Sequence, residues 1–119
     1  MNMIDKAKLK RESKELKTPM GVYQIKNLVN GKVFIGSAYN VPGKLNGHQF
    51  TLKIGSHINP DLQKEYNQFG AGNFEFGMLD ELKYKEDPDY NYKEDLKFLE
   101  EAWIEKLRPF GEKGYNRKQ

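Results

Sequence analysis

Residues 21 to 36 of this chain read GVYQIKNLVNGKVFIG, and this stretch predicts a β-hairpin. Two short apolar segments, from Val22 to Ile25 and from Val33 to Ile35, are typical of β-strands. Between them lies Asn30-Gly31, and an Asn-Gly pair flanked by apolar segments is the strongest local signal for a tight hairpin turn. The sequence therefore predicts two neighbouring antiparallel strands.

Helix signals lie on both sides of the hairpin. Residues 3–17 fit a helix that ends before Pro19, because a proline disfavours the helical conformation of the residue before it. After the hairpin, Asn40 is typical of an N-cap and Pro42 of a first helical turn. These two residues predict a helix from Val41 to about Leu52.

The remaining elements follow from the second half of the chain. Asn59-Pro60 opens a helix that Gly70 ends, and alternating apolar residues from Phe74 to Met78 predict a third strand. Residues 83–92 are typical of a loop, and Asn91-Tyr92-Lys93-Glu94 resembles a capping box that opens a last helix. We expect an α/β fold, with a small antiparallel three-stranded sheet flanked by helices. The expected core residues are Val22, Ile25, Val33, Ile35, Leu62, Phe69, Phe74, Phe76, Trp103 and Leu107.

Composition limits the chain to one small domain that folds on its own core. The 119 residues include no cysteine and no long apolar segment, so we expect neither disulfides nor a membrane span. Charges recur every few residues from Met1 to Thr18, a pattern that excludes a secretory signal peptide. We therefore expect a cytoplasmic protein with a basic N-terminal helical arm over residues 1–18 and one domain over residues 19–119.

Charge is unevenly distributed along the chain. The net charge of +3 equals that of residues 1–18, which hold six Lys or Arg against three Asp or Glu. Residues 80–105 hold ten carboxylates against four lysines, a local charge of −6. A nucleic-acid interface would therefore use the arm, residues 44–53 and residues 108–118. Charge alone favours an ordinary solvated surface and does not define the function.

One carboxylate interrupts the apolar face of the last predicted helix. Glu100 falls on that face at helical spacing, whereas Glu101 and Glu105 point away from it. An unpaired charge against a core costs several kcal/mol, so Glu100 requires a cation, a metal or strong donors, or it is protonated. Periodicity leaves two interpretations open: an ion pair with a lysine across the domain, or a functional site. The apolar residues of this face are Leu96, Leu99, Trp103, Ile104 and Leu107.

The two ends of the hairpin carry a family resemblance. The tripeptides Gly21-Val22-Tyr23 and Phe34-Ile35-Gly36 resemble the paired motifs of the GIY-YIG nuclease family, in which two such tripeptides occupy neighbouring strands. Phe34 stands at the position of the family's second tyrosine. The resemblance extends over residues 19–116, and residues 57–76 look like the same region of phage and intron-associated members. It implies a phage or mobile-element origin.

The resemblance also implies site residues. Lys44 occupies the position of the family's arginine, and His48 follows it by four residues. Glu100 matches the glutamate that coordinates one divalent metal in the family, and Asn116 matches the asparagine of its closing Tyr-Asn. Because Lys44 and His48 are spaced i, i+4, a helix presents them on one face.

The implied chemistry is metal-dependent hydrolysis of a DNA phosphodiester. In the family, a tyrosine or histidine takes a proton from water, an arginine holds the phosphate, and the glutamate-bound metal stabilises the leaving oxygen. The resemblance thus implies that Tyr23 orients or deprotonates water, and that Glu100 holds Mg²⁺ or Mn²⁺. The expected catalytic set is Tyr23, Phe34, Lys44, His48 and Asn116.

Each of these side chains also has a structural interpretation. Tyr23 fits a core tyrosine with a satisfied hydroxyl, and His48 and His57 fit ordinary surface or capping histidines. Phe34 lacks the expected hydroxyl, and Lys44 replaces a bidentate guanidinium by a point charge. Three functions stay open: a DNA endonuclease of reduced activity, an inactive descendant that binds DNA, and a module such as an inhibitor that binds a protein partner.

Overall fold

The computed structural model describes residues 17–117 and has a three-stranded sheet with helices on both faces. The predicted α/β fold is confirmed. The arm helix predicted over residues 3–17 lies, but for its last residue, outside the described residues. No helix in the described range is long and apolar enough to cross a membrane. The elements are β1 (Met20–Asn27), β2 (Val33–Ala38), α1 (Val41–Lys53), α2 (Pro60–Phe69), β3 (Phe74–Leu82) and α3 (Lys93–Leu107).

The sheet has the order β2-β1-β3, and both pairings are antiparallel. Tyr23 pairs with Gly36 in the hairpin, so the two tripeptides are neighbours as predicted. The loop between β1 and β2 is longer than a two-residue turn. At its start, the carbonyl of Asn27 accepts a hydrogen bond from the amide of Gly31 at 2.8 Å. Gly31 has φ of 80°, a left-handed conformation that glycine adopts without strain.

Both faces of β1 are buried. α1 and α2 cover the face that carries Tyr23 and Ile25, and α3 covers the face that carries Val22. Of the ten predicted core residues, six are buried: Val22, Ile25, Val33, Ile35, Leu62 and Phe74. The other four, Phe69, Phe76, Trp103 and Leu107, are partly buried and pack against these clusters. Tyr23 and Tyr115 were left out of the expected core but are only 2% exposed, and for Tyr23 this agrees with its alternative interpretation as a core tyrosine.

Asparagine side chains cap two of the helices as predicted. Asn40 Oδ1 accepts from the amide of Gly43, and Asn59 Oδ1 accepts from the amide of Leu62, both at 3.0 Å. The predicted capping box of α3 forms only in part: Asn91 Oδ1 accepts from the amide of Lys93 at 2.9 Å, but the N-cap lies one residue later than predicted. Its N-cap is Tyr92, without a side-chain capping bond, because the tyrosine ring is buried against the start of β1.

A buried polar cluster joins the hairpin, α2 and the C-terminal segment. The Tyr115 hydroxyl donates to Glu65 Oε1 at 2.7 Å, and Asn27 Nδ2 donates to the Tyr115 hydroxyl at 3.0 Å. Lys32 forms an ion pair with Glu65 Oε2 at 2.9 Å. Burial alone raises the pKa of Glu65, but hydrogen bonds from Lys32, Tyr115 and Asn30 outweigh burial and lower the pKa to about 2. The carboxylate is therefore ionised and holds these elements together.

Candidate active site

A chain of hydrogen bonds links Tyr23 to both histidines of the protein. The Tyr23 hydroxyl lies 2.8 Å from His48 Nε2, and His48 Nδ1 lies 2.7 Å from His57 Nε2. The backbone amide of Asn59 donates to His57 Nδ1 at 2.9 Å. The chain thus runs from the loop before α2, through α1, to the central strand.

The amide of Asn59 determines which atom donates in each of these hydrogen bonds. Because His57 Nδ1 accepts a proton, a neutral His57 carries its own proton on Nε2 and donates to His48. A neutral His48 then carries its proton on Nε2 and donates to the oxygen of Tyr23. The phenol proton of Tyr23 is left free to donate to another group.

The environment keeps all three groups neutral. Burial, with smaller contributions from His57 and Lys44, lowers the pKa of His48 to about 4. Burial also lowers the pKa of His57. Burial, followed by the charge of Glu100, raises the pKa of Tyr23 well above its ordinary value. At neutral pH the site therefore contains two neutral imidazoles and a phenol that keeps its proton.

Two glycines of the tripeptides allow the backbone to approach its neighbours closely. A Cβ atom on Gly36 would collide with the hydroxyl end of Tyr23. A Cβ atom on Gly21 would collide with the carbonyl oxygen of Asp80 on β3, and its φ of 153° further disfavours other residues. Gly36 therefore leaves room for the Tyr23 hydroxyl beside β2, and Gly21 allows β1 to approach β3.

Phe34 and Lys44 border the histidines. The Phe34 ring lies edge-on to both imidazoles, with centroid distances of 5.6 Å to His48 and 6.3 Å to His57. Lys44 is exposed on α1 and lines a cleft of about 330 Å³ together with His48, His57 and Ile58. The structure thus brings Tyr23, Phe34, Lys44 and His48 together on one side of the sheet.

Glu100 approaches the same end of β2 from the other face. It is half-buried on α3, and its Oε1 accepts a hydrogen bond of 2.7 Å from the Ser37 hydroxyl. Among residues 17–117 it forms no ion pair, so the lysine partner considered from the sequence is not observed. Its charge acts on the Tyr23 phenol across the end of the strand.

The Glu100 carboxylate suits a divalent cation. Within the described range, no group of three or more His, Cys, Asp or Glu side chains could hold a metal. A single carboxylate is nevertheless a fitting ligand for Mg²⁺, which binds through one or two carboxylates and substrate phosphates and keeps several waters. Glu100 would then be the sole protein ligand from this part of the chain.

Asn116 lies at the exposed edge of β2, where it contacts backbone. Its Oδ1 accepts from the amide of Ile35 at 2.8 Å, and its Nδ2 donates to the Ile35 carbonyl at 2.9 Å. The amide of Tyr115 donates to the carbonyl of Val33 at 2.9 Å. The structure does not bring Asn116 into the Tyr23–His48 chain; it holds the strand that carries Phe34.

Two members of the site were missed from the sequence. His57 was left out of the expected catalytic set, although the chain has only two histidines and both lie in the site. Ser37 was not singled out. Its position directly after Gly36 places it on the α3 face of β2 by strand alternation, which is a usable signal.

These features define a GIY-YIG catalytic domain. Residues 19–116 match the family of that description, and the chain belongs to it. Intron-associated endonuclease 1 of Enterobacteria phage T4 is 39% identical over 67 residues, which cover 56% of this chain and 27% of the phage protein. The chain thus spans about a quarter of that relative.

Solved structures show the same fold. The catalytic domain of the homing endonuclease I-TevI superposes with a TM-score of 0.70 at 33% identity, over 84% of this chain and 99% of that domain. A mutant of the catalytic domain of intron endonuclease I-TevI superposes with a TM-score of 0.68 at 32% identity, over 83% of this chain and 93% of that domain. The resemblance inferred from the two tripeptides is confirmed.

Proposed function

We propose that this domain is an endonuclease that hydrolyses DNA phosphodiester bonds with one Mg²⁺ or Mn²⁺ ion held by Glu100. The observation that carries the proposal is that the Tyr23–His48–His57 chain and Glu100 meet at one end of β2, where Gly36 lies against the Tyr23 hydroxyl and the next residue, Ser37, holds Glu100. Membership of the family and the phage relative support a phage-encoded enzyme acting in the host cytoplasm. The basic arm over residues 1–18 would add non-specific phosphate contacts.

The side chains have distinct roles in this proposal. Tyr23, with its oxygen held by His48, donates its phenol proton in a hydrogen bond that orients water or the reacting phosphate. The direction of the hydrogen bonds favours this orienting role over removal of a proton by Tyr23. Lys44 binds the phosphate as a point charge. A bound divalent ion would supply Lewis-acid stabilisation of the charged oxygens.

Two departures predict a reduced rate. Phe34 lacks a hydroxyl, and loss of a general acid or base typically costs about 10²–10⁴-fold. Lys44 lacks the planar fork of an arginine, so it holds a phosphate with less geometric control. These departures are also the specific observation that favours a second candidate, a domain that binds DNA without cutting it. Asn116 acts in either case by holding β2 in place.

Plasmid nicking in Mg²⁺ and in Mn²⁺ tests the proposal. Glu100→Ala should abolish nicking, whereas the matched control Glu101→Ala removes an exposed carboxylate from the adjacent position and should nick normally. If the unmodified protein leaves the plasmid intact, the proposal of an endonuclease is wrong. DNA titration of the same samples would then separate the DNA-binding candidate from a module that binds a protein partner.

A further inference from the structure

We propose that the cleft between the end of β2 and the first two turns of α3 binds the DNA backbone phosphate next to the reacting one. Lys93 and Lys97 would be its cations. The inference rests on the proposed function and extends it, since neither lysine belongs to the site residues derived above.

The cleft is continuous with the candidate metal ligand. It has a volume of about 290 Å³, and Ser37, Lys93, Lys97 and Glu100 line it. Along α3, Lys97 precedes Glu100 by three residues and Lys93 precedes it by seven, so all three lie on one helix face. Lys93, Lys97 and Glu100 form a row that extends about 10 Å along the helix from the carboxylate. A DNA strand at Glu100 would therefore meet both lysines.

Within the cleft two lysines face one carboxylate, a local charge of +1 inside a segment, residues 80–105, that carries −6 as a whole. Among the residues that the structure describes, neither Lys93 nor Lys97 forms an ion pair. Lys93 is the first residue of α3, where a cation is disfavoured by the helix dipole and an anion is favoured. The acidic residues of that turn lie off the row, and Asp95 accepts a hydrogen bond from Tyr90 at 2.8 Å. A bound phosphate would offset the unfavourable interaction of the Lys93 charge with the helix dipole.

The cleft also has a feature suited to a nucleotide. Tyr39 lines it and is 50% exposed, which leaves an aromatic surface beside the two lysines. Aromatic side chains beside a basic groove are typical of proteins that bind nucleic-acid strands. This combination favours DNA over free phosphate.

The cleft lies opposite Lys44. Lys44 is on α1, which packs against one face of the sheet, whereas Lys93 and Lys97 are on α3, which packs against the other. A DNA backbone crossing the end of β2 would thus be held from both sides. The two lysines would supply affinity that a point charge at Lys44 alone does not provide.

The test compares two double variants that lose the same charge. Lys93→Ala/Lys97→Ala removes both cleft lysines, and Lys83→Ala/Lys106→Ala removes two exposed lysines outside the cleft. Duplex DNA binding is followed by fluorescence anisotropy in EDTA over a series of salt concentrations. The cleft variant should bind about tenfold more weakly at low salt. Its slope of log K against log salt should fall by about 0.9 for the phosphate lost.

Nicking kinetics in Mn²⁺ give a second measurement. A neighbouring phosphate keeps its charge during the reaction, so its contacts contribute equally to ground state and transition state. The cleft variant should therefore nick slowly at low DNA concentration and at the unmodified rate when DNA is saturating. Lys93→Arg/Lys97→Arg should keep both affinity and rate. Melting temperatures check folding, and if the alanine variant is destabilised, Lys93→Gln/Lys97→Gln takes its place.

The outcomes separate the two proposals. If the unmodified protein binds and nicks DNA and the cleft variant behaves like the control, the phosphate site is overturned while the nuclease stands. A slower rate at saturating DNA with unchanged affinity would also overturn it, because that result indicates a role in the reaction itself. If the unmodified protein neither binds nor nicks DNA, both proposals fail.

Discussion

The hydroxyl of Ser37 donates a hydrogen bond of 2.7 Å to Oε1 of Glu100, joining the end of β2 to α3. The bond fixes the orientation of a half-buried carboxylate that has no ion-pair partner in the described part of the chain. Groups that hold a metal ligand in this way set its geometry and its basicity. Ser37 is therefore a positioning residue for the proposed cation.

Ser37→Ala should weaken cation binding. Loss of a group that orients a metal ligand typically costs about 10–100-fold in affinity or activity. We expect a shift of that size in the Mn²⁺ concentration needed for half-maximal nicking, and the same shift in Mn²⁺ binding measured directly by electron paramagnetic resonance. Ser37→Thr keeps the hydroxyl and should bind Mn²⁺ normally. Equal Mn²⁺ affinity in the alanine and threonine variants would contradict the role of the hydroxyl.

Local sequence signals predicted the secondary structure because each depends on a few neighbouring residues. Asn59 caps α2 through its own side chain, and this geometry can be recognised from Asn59-Pro60 alone. The N-cap of α3 is Tyr92 and not Asn91, and Tyr92 is fixed by packing against Met20, a contact distant in sequence. Burial of both faces of β1 likewise depends on which elements cover it, so the sequence left the core interpretation of Tyr23 as one of two.

The site was likewise predicted only in part, because some of its contacts depend on residues distant in sequence. Motif spacing identified Tyr23, His48 and Glu100, which lie at the same end of β2 in the structure. Spacing carries no information about hydrogen-bond direction, so the role of His57 required the position of the Asn59 amide. Asn116 was grouped with the catalytic residues by resemblance, and its contact with the backbone of β2 is visible only once the C-terminal segment is folded.

Asn116→Ala should destabilise the domain. It removes two hydrogen bonds and leaves the amide and carbonyl of Ile35 without these partners, which should cost about 1–3 kcal/mol in the free energy of unfolding. Urea unfolding measures the loss. Arg117→Ala is the control, because its ion pair with Asp61 is exposed and long at 3.8 Å and should contribute little. Unchanged stability in Asn116→Ala would indicate that the asparagine is kept for another purpose.

Stability should fall as the histidines become protonated. The pKa of His48 is about 4 in the folded protein against an ordinary value of 6.5, so the unfolded chain binds the proton more readily. The stability that the neutral, buried His48 contributes is complete above pH 6.5 and is lost as the pH falls toward about 4. Melting temperatures across that range should decline less steeply in His48→Asn, even if that variant is less stable at neutral pH. The contribution of Glu65 is lost as the pH falls from about 4.5 to about 2 and is common to both proteins, so it does not account for a difference between them. Parallel profiles for the two proteins would contradict a buried neutral His48.

Restoring the family's residues at two positions should increase nicking. Phe34→Tyr adds a phenol beside the two imidazoles, and Lys44→Arg adds a planar fork for the phosphate. Since one acid or base group is worth about 10²–10⁴-fold, we expect the double variant to nick at least about tenfold faster than the unmodified protein in single-turnover assays.

Phe50→Tyr/Lys53→Arg is the matched control for this last prediction, because it makes the same chemical changes at exposed positions of α1. It should leave the rate unchanged. The gain in Phe34→Tyr/Lys44→Arg should also disappear when Glu100→Ala is added, since the restored groups act on the same phosphate as the proposed cation. If the double variant nicks no faster, the hydroxyl and the guanidinium are not what limits the rate. The site would then be limited by another feature, such as the placement of the Tyr23 phenol, whose oxygen His48 holds.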